Sequence, residues 1–108
     1  MTIRWSYKAQ QQQDEIADYI YLEFGEKAVA DFYRRIDKAE ADLLTYPEIG
    51  KVEPLLANRP KVYRSLVIYR LSKLVYSVES DAIQVVAFRD CRREPKTLTE
   101  GTKIIRNM

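Results

Sequence analysis

VYRSLVIYRLSKLVYSVESDAIQVVAFR, residues 62–89, is the stretch that decides the fold. It is rich in β-branched and aromatic residues and divides into three runs, 62–69, 73–79 and 82–89, each the length of a strand. The connectors at 70–72 and 80–81 are too short for a crossover, so the three strands read as antiparallel hairpins. In the middle run Tyr76 shares a face with Leu74 and Val78, which marks it as a core aromatic and not a catalytic group. The first run is ambiguous. Tyr63, Ser65, Val67 and Tyr69 alternate with Val62, Arg64, Leu66 and Ile68, and both sets are partly apolar.

Upstream, residues 47–61 hold Pro47, Pro54 and Pro60 with Gly50, and read as one long irregular connection. Before it the apolar period becomes helical. Ala9, Gln13, Ile16, Ala17, Ile20 and Phe24 form one stripe over about residues 8–24. Val29, Phe32, Tyr33, Ile36, Ala39 and Leu43 form a second over about 26–46. Gly25 separates them as a C-cap glycine, Glu26 complements the second helix dipole, and Pro47 ends that helix. So short a break makes the helices an antiparallel hairpin. The glutamines at 10–13 read as solvated surface. At the N-terminus Ile3 and Trp5 alternate with polar residues as a short strand, and Ser6 is placed to cap the first helix.

The expected order is β-α-α-β-β-β, an α+β fold with a helical hairpin packed on one face of a small, mostly antiparallel sheet. With one helical layer the other sheet face is expected to lie open, and function is sought there. The tail, 96–108, is compatible with a last helical turn or an extended run.

At 108 residues the chain is one domain, residues 1–108, since a second core needs roughly 50 residues more. No apolar run approaches the roughly 20 residues of a membrane span, and residues 1–6 lack a signal-peptide layout. No membrane association is expected, and the cytoplasm is the expected location. The absence of histidine removes Ser-His-Asp and Cys-His catalysis and HExxH zinc sites. The single cysteine, Cys91, excludes an intrachain disulfide and is not assigned as a nucleophile without an imidazole base. No carboxylate spacing resembles a metal site, and three scattered glycines make no phosphate loop. Neither a metal nor a cofactor is expected.

The net charge of +2 hides an asymmetry: residues 1–58 carry 7 Lys and Arg against 11 Asp and Glu, and residues 59–108 carry 11 against 5. Arg64, Arg70, Lys73, Arg89, Arg92 and Arg93 cluster on and beyond the strands, interleaved with Tyr63, Tyr69 and Tyr76. Such a set can grip phosphates and stack on bases, or meet an acidic protein segment. Equally, it can be the ordinary charged surface of an exposed sheet. Asp90 is placed to orient Arg92 or Arg93.

Several phrases, in their order and spacing, resemble the RelE/ParE superfamily, toxins of type II toxin–antitoxin systems of the plasmid-stabilisation type. They are IRWSYKA at 3–9, IADYIYLEFGEKAVADFYRRI at 16–36, YPEIG at 46–50, VYRSLVI at 62–68, KLVYSVESDAIQVV at 73–86 and RDCRREP at 89–95. The resemblance implies a growth-inhibiting protein silenced by a cognate antitoxin, as a hetero-oligomer, with dimerisation of the free toxin left open. Two activities occur on this fold: RelE-like members cleave mRNA on the ribosome, and ParE-like members poison DNA gyrase.

For the first, the resemblance implies a metal-independent endoribonuclease in which the RNA 2′-hydroxyl attacks its own phosphate. Arg64 and Lys73 would stabilise the transition state and Arg93 would assist the leaving oxygen. Tyr63, Arg70, Arg89 and Arg92 would bind nucleic acid or partner. This sequence departs from that pattern: Leu66 stands where a lysine is expected, Lys73 where arginine is usual, and Thr99 near a tyrosine position. The ParE-like branch needs no catalytic set. A non-toxic nucleic-acid-binding module is the alternative.

Overall fold

A computed structural model of the chain describes residues 1–69 and 72–90. The order is β1 (Thr2–Trp5), α1 (Tyr7–Phe24), α2 (Glu26–Thr45), β2 (Lys51–Val52), a short 3-10 turn (Pro54–Leu56), β3 (Arg64–Tyr69), β4 (Ser72–Val78) and β5 (Ala82–Asp90). They form one sheet in the order β1-β5-β4-β3-β2, with β1 parallel to β5 and every other pairing antiparallel. The helices pack on each other and on the sheet. The α+β reading therefore holds, with one correction. Residues 47–61 are not wholly irregular, because Lys51 and Val52 pair with Ser65 and Arg64. Two residues carry no readable period, and their partners lie more than ten residues away.

Local chemistry explains the element ends. Ser6 Oγ accepts the Ala9 amide at 3.0 Å and caps α1. Gly25, at φ 92°, closes α1 by donating to Tyr21 O at 2.9 Å, and serves directly as the entry to α2. Pro47 keeps Tyr46 out of helical backbone, so α2 stops at Thr45.

The core lies between the hairpin and one face of the sheet. Ala9, Gln13, Ala17 and Ile20 of α1 and Phe32, Ile36, Ala39 and Leu43 of α2 are buried, as the two stripes require. Phe32 meets Tyr69 and Phe88 edge-on at 5.7 and 5.8 Å. Trp5 packs on Phe88 and donates Nε1–H to Glu40 at 2.7 Å. Two stripe positions depart: Phe24 and Tyr33 are substantially exposed. In the glutamine run Gln10 and Gln11 are exposed as read, and Gln12 departs the other way. Strand β1 ends at Trp5 while β5 runs on to Asp90, so the outer edge of β5 needs partners. Ser6 donates its amide to Val85 O at 2.9 Å, and Gln12 Oε1 accepts the Phe88 amide at 2.9 Å.

Two bulges set which side chains face the helices. Ile68 is extra in β3, and both Ile68 and Tyr69 join the core. The ambiguity of that strand is thereby resolved in favour of the Leu66–Ile68 face, with Tyr69 added by the bulge. Val86 is extra in β5, where Ala87 pairs with Val75 and Val85 with Tyr76.

Candidate functional site

Strand β4 has no bulge of its own, so its side chains alternate strictly. Leu74 and Tyr76 face the helices; Lys73, Val75 and Ser77 face away. Arg64 is the direct partner of Tyr76 and shares its face, whereas Val67 and Arg89 are the partners of Lys73 and share the other. Arg64 and Lys73 therefore lie on opposite faces of the sheet. The structure does not bring these two residues to one phosphate.

Arg64 is engaged in holding the 46–50 turn. Its Nη1 donates to Gly50 O at 2.9 Å, the Tyr76 hydroxyl donates to Pro47 O at 2.7 Å, and the same hydroxyl accepts the Gly50 amide at 3.0 Å. A Cβ on Gly50 would sit 2.6 Å from Ser65 O and 2.9 Å from the Tyr76 oxygen, so only glycine fits here. Burial pushes the Tyr76 hydroxyl above its ordinary value, against the opposing pull of the Gly50 amide and the Arg64 charge. Tyr76 is structural, as its register predicts. Beside this turn a shallow depression is lined by Thr45, Tyr46, Pro47, Glu48, Ile49 and Val78.

The face away from the helices is more closed than a single helical layer implies, for Val75, Ser77 and Ala87 are buried. Part of the cover is the segment after β2, which brings Glu53 over the strands. Lys73 Nζ lies 2.7 Å from Glu53 Oε1, with side-chain exposures of 12% and 1%. Glu53 Oε2 also accepts the Leu55 amide at 3.0 Å, and Ser65 hydrogen-bonds the carboxylate. Burial alone would raise the Glu53 carboxyl; the Lys73 hydrogen bond, the Leu55 amide, the Lys73 charge and Ser65 outweigh it and hold the group below its ordinary value.

Further pairs repeat the motif of a cation answered from within the chain. Lys61 meets Glu79 at 3.1 Å, and Ser77 Oγ donates to the same carboxylate at 2.7 Å. The Ser77 and Lys61 hydrogen bonds hold Glu79 below its ordinary value and the Glu79 contact raises Lys61. Arg4 meets Asp81 at 3.5 Å. Among the described members of the expected basic set, Lys73 is thus neutralised by an acid of its own chain, while Arg64 is spent on a backbone carbonyl. Half of the back-half charge surplus lies elsewhere, since residues 91–108 carry five Lys and Arg against two Glu.

The remaining expected positions divide in two. Tyr63 is half-buried just before β3, where its carbonyl accepts the Glu53 amide at 2.8 Å. Arg89 is half-buried beside Lys73 on β5. Leu66, where a lysine is expected, packs against the core, which a charged head could not do without cost. Arg70, Cys91, Arg92, Arg93, Thr99 and the tail lie outside the described residues. Glu53 and Gly50 were missed in the sequence, as each is defined by contacts to strands that follow it in the chain.

The sheet also offers an edge. Strand β2 pairs only with Arg64 and Ser65, so among the described residues no strand borders β3 on the β2 side from Leu66 to Ile68, where Val67 is 66% exposed. No described helix is long and apolar enough to cross a membrane.

A chain of the chromosomal ParDE toxin–antitoxin system from P. aeruginosa superposes with a TM-score of 0.66 at 21% identity, over 83% of this chain and 95% of that one. The YoeB dimer from Staphylococcus aureus superposes with a TM-score of 0.54 at 22% identity, over 81% and 92%. No curated relative matches in sequence. The model of the ParE toxin of the parDE type II toxin–antitoxin system matches residues 3–95. By the extent of that match across a RelE/ParE-like fold, the chain belongs to the ParE toxin family of type II toxin–antitoxin systems.

Proposed function

We propose that this chain is a growth-inhibiting toxin that works in the cytoplasm by binding a protein target, DNA gyrase, and is silenced by a cognate antitoxin. One observation carries the choice over RNA cleavage. Arg64 and Lys73 sit on opposite faces of the sheet, and Lys73 is neutralised by Glu53 at 2.7 Å. A cation offered to a scissile phosphate has to be solvent-accessible and uncompensated; Lys73 is neither. Leu66 adds to the case, because an apolar core contact fills the place of a catalytic lysine.

The antitoxin's place is proposed at the outer edge of β3. An extended segment there would add a strand along 66–68 and cover Val67.

The reading is tested by adding the purified chain to bacterial gyrase, plasmid DNA and ATP, and by pulse-labelling cells that express it. Trapped cleavage complexes or blocked supercoiling, with DNA synthesis failing first, are expected. Cleaved mRNA with translation failing first overturns the reading in favour of ribosome-dependent RNA cleavage. Normal growth with soluble protein returns the chain to a non-toxic nucleic-acid-binding module.

A further inference from the structure

The sheet answers its charges internally, and the body of α2 pairs Asp31 with Arg34 and Arg35 and Asp42 with Lys38; the stretch from α1 into the start of α2 does not. Residues 9–26 contain five carboxylates, Asp14, Glu15, Asp18, Glu23 and Glu26, and no Lys or Arg. Among the described residues none of the five enters an ion pair, whereas Asp31, Asp42, Glu53, Glu79 and Asp81 all do. Glu23 is placed against the local electrostatics as well. It lies in the last turn of α1, where the helix dipole disfavours a negative charge and no basic residue compensates. A local rule broken without local compensation points to use elsewhere.

The same end of the hairpin exposes apolar surface. Leu22 is 78% exposed, Tyr21 53%, Phe24 51% and Tyr19 42%. Leu22 is four residues on from Asp18 and so adjoins it on the helix surface. Phe24 continues the buried stripe in sequence, yet stacks edge-on with Tyr19 at a ring separation of 6.4 Å. Four large apolar side chains within six residues, rimmed by acids, resemble the centre and rim of a protein interface more than a solvated helix end.

We propose that the tip of the α1–α2 hairpin is the surface by which this toxin grips its protein target, seating Tyr21 and Leu22 in an apolar recess rimmed by Lys and Arg. The charge selects the occupant. Five carboxylates without an ion pair repel a nucleic-acid backbone and attract a basic protein surface. The burial of Tyr33 and the nearby Asp14 and Asp18 together push its hydroxyl upward, a sign that the negative field reaches the α2 side of the hairpin. The target is thereby held by the helices, leaving the β3 edge for the antitoxin. The proposal rests on the reading of the chain as a toxin acting on a protein.

The test uses the full chain, with Tyr21→Ser/Leu22→Ser removing the apolar centre and Asp18→Lys/Glu23→Lys inverting the rim. All four side chains are exposed, so thermal melting should match wild type and report that both variants fold. Binding to purified bacterial gyrase is measured at low and high salt, and growth arrest is followed in expressing cells. Each double variant is expected to weaken binding about tenfold or more, with arrest reduced in parallel. Wild-type binding should fall with salt, and the charge-inverted variant should lose that dependence. Variants that melt, bind and arrest like wild type overturn the proposal. So does loss of DNA or RNA binding as the main effect, because the surface would then meet nucleic acid. If wild type arrests growth without binding gyrase, the gyrase assignment fails alone. The hairpin then stands if the variants lose arrest and falls if they keep it.

Discussion

The tip of the α1–α2 hairpin and the helix-free face of the sheet use their charged residues in opposite ways. On the sheet, Lys73, Lys61 and Arg4 are each met by a carboxylate of the same chain, and Glu53 and Lys73 are nearly removed from water. On the hairpin tip the carboxylates have no such answer, and apolar side chains stand among them. Charge in a sequence is therefore a poor guide to a binding face. What matters is which charges the fold leaves uncompensated, since a neutralised pair exerts little field on a partner.

The sharpest way to break this contrast is to remove one half of the buried pair. Lys73→Met or Glu53→Gln alone leaves a buried group without its partner and is expected to cost roughly 3–5 kcal/mol in urea unfolding. The double variant Lys73→Met/Glu53→Met should recover most of that loss. It should also arrest growth like wild type, because the pair supports the fold and not the target. A folded double variant that has lost growth arrest would return Lys73 to the catalytic role.

Gly50→Ala comes next. The added methyl meets Ser65 O and the Tyr76 oxygen, and opening the 46–50 turn should cost about 1–3 kcal/mol. Tyr76→Phe removes the acceptor of the Gly50 amide and the donor to Pro47, with an expected loss of about 1–3 kcal/mol. The two losses should not add, because both act on one turn. Additive losses would mean that the brace is not a unit.

A gentler probe is pH. Folding holds the Glu53 carboxyl below its ordinary value of 4.5, so the unfolded chain takes up that proton first as pH falls. Its stabilisation is complete above 4.5 and is lost as pH drops through the lower folded value. Denaturation midpoints measured from neutral to acid pH should show this limb, and Glu53→Gln should flatten it. The smallest effect belongs to Lys61→Ala, whose partner Glu79 is on the surface. Only a slight shift of the denaturation midpoint is expected, vanishing in salt.

Much of the fold was legible. Period changes in the chain report burial directly, so the two helices, the three long strands, the Gly25 break and the Ser6 cap could all be read from neighbours in sequence. The Tyr76 role followed from alternation alone. Strand β2 escaped because two residues have no period. Gln10 and Gln11 are surface as read, but Gln12 is recruited by an edge of β5, which lies 76 residues further on. Phe24 continued the stripe in sequence, but half of its surface stays exposed at the hairpin tip.

The candidate site was less legible, and the reason is geometric. Residue types and order are enough to indicate the toxin family, the absence of histidine chemistry and the surplus of cations in the back half. Whether Arg64 and Lys73 share a face depends on the register of β3 on β4. Whether a lysine is available to a ligand depends on a glutamate twenty residues away folding over it. Register and compensation are properties of pairs brought together by the chain's return path. Helices, strands and total charge follow from neighbours along the chain, whereas which charges remain uncompensated depends on what folding brings beside them.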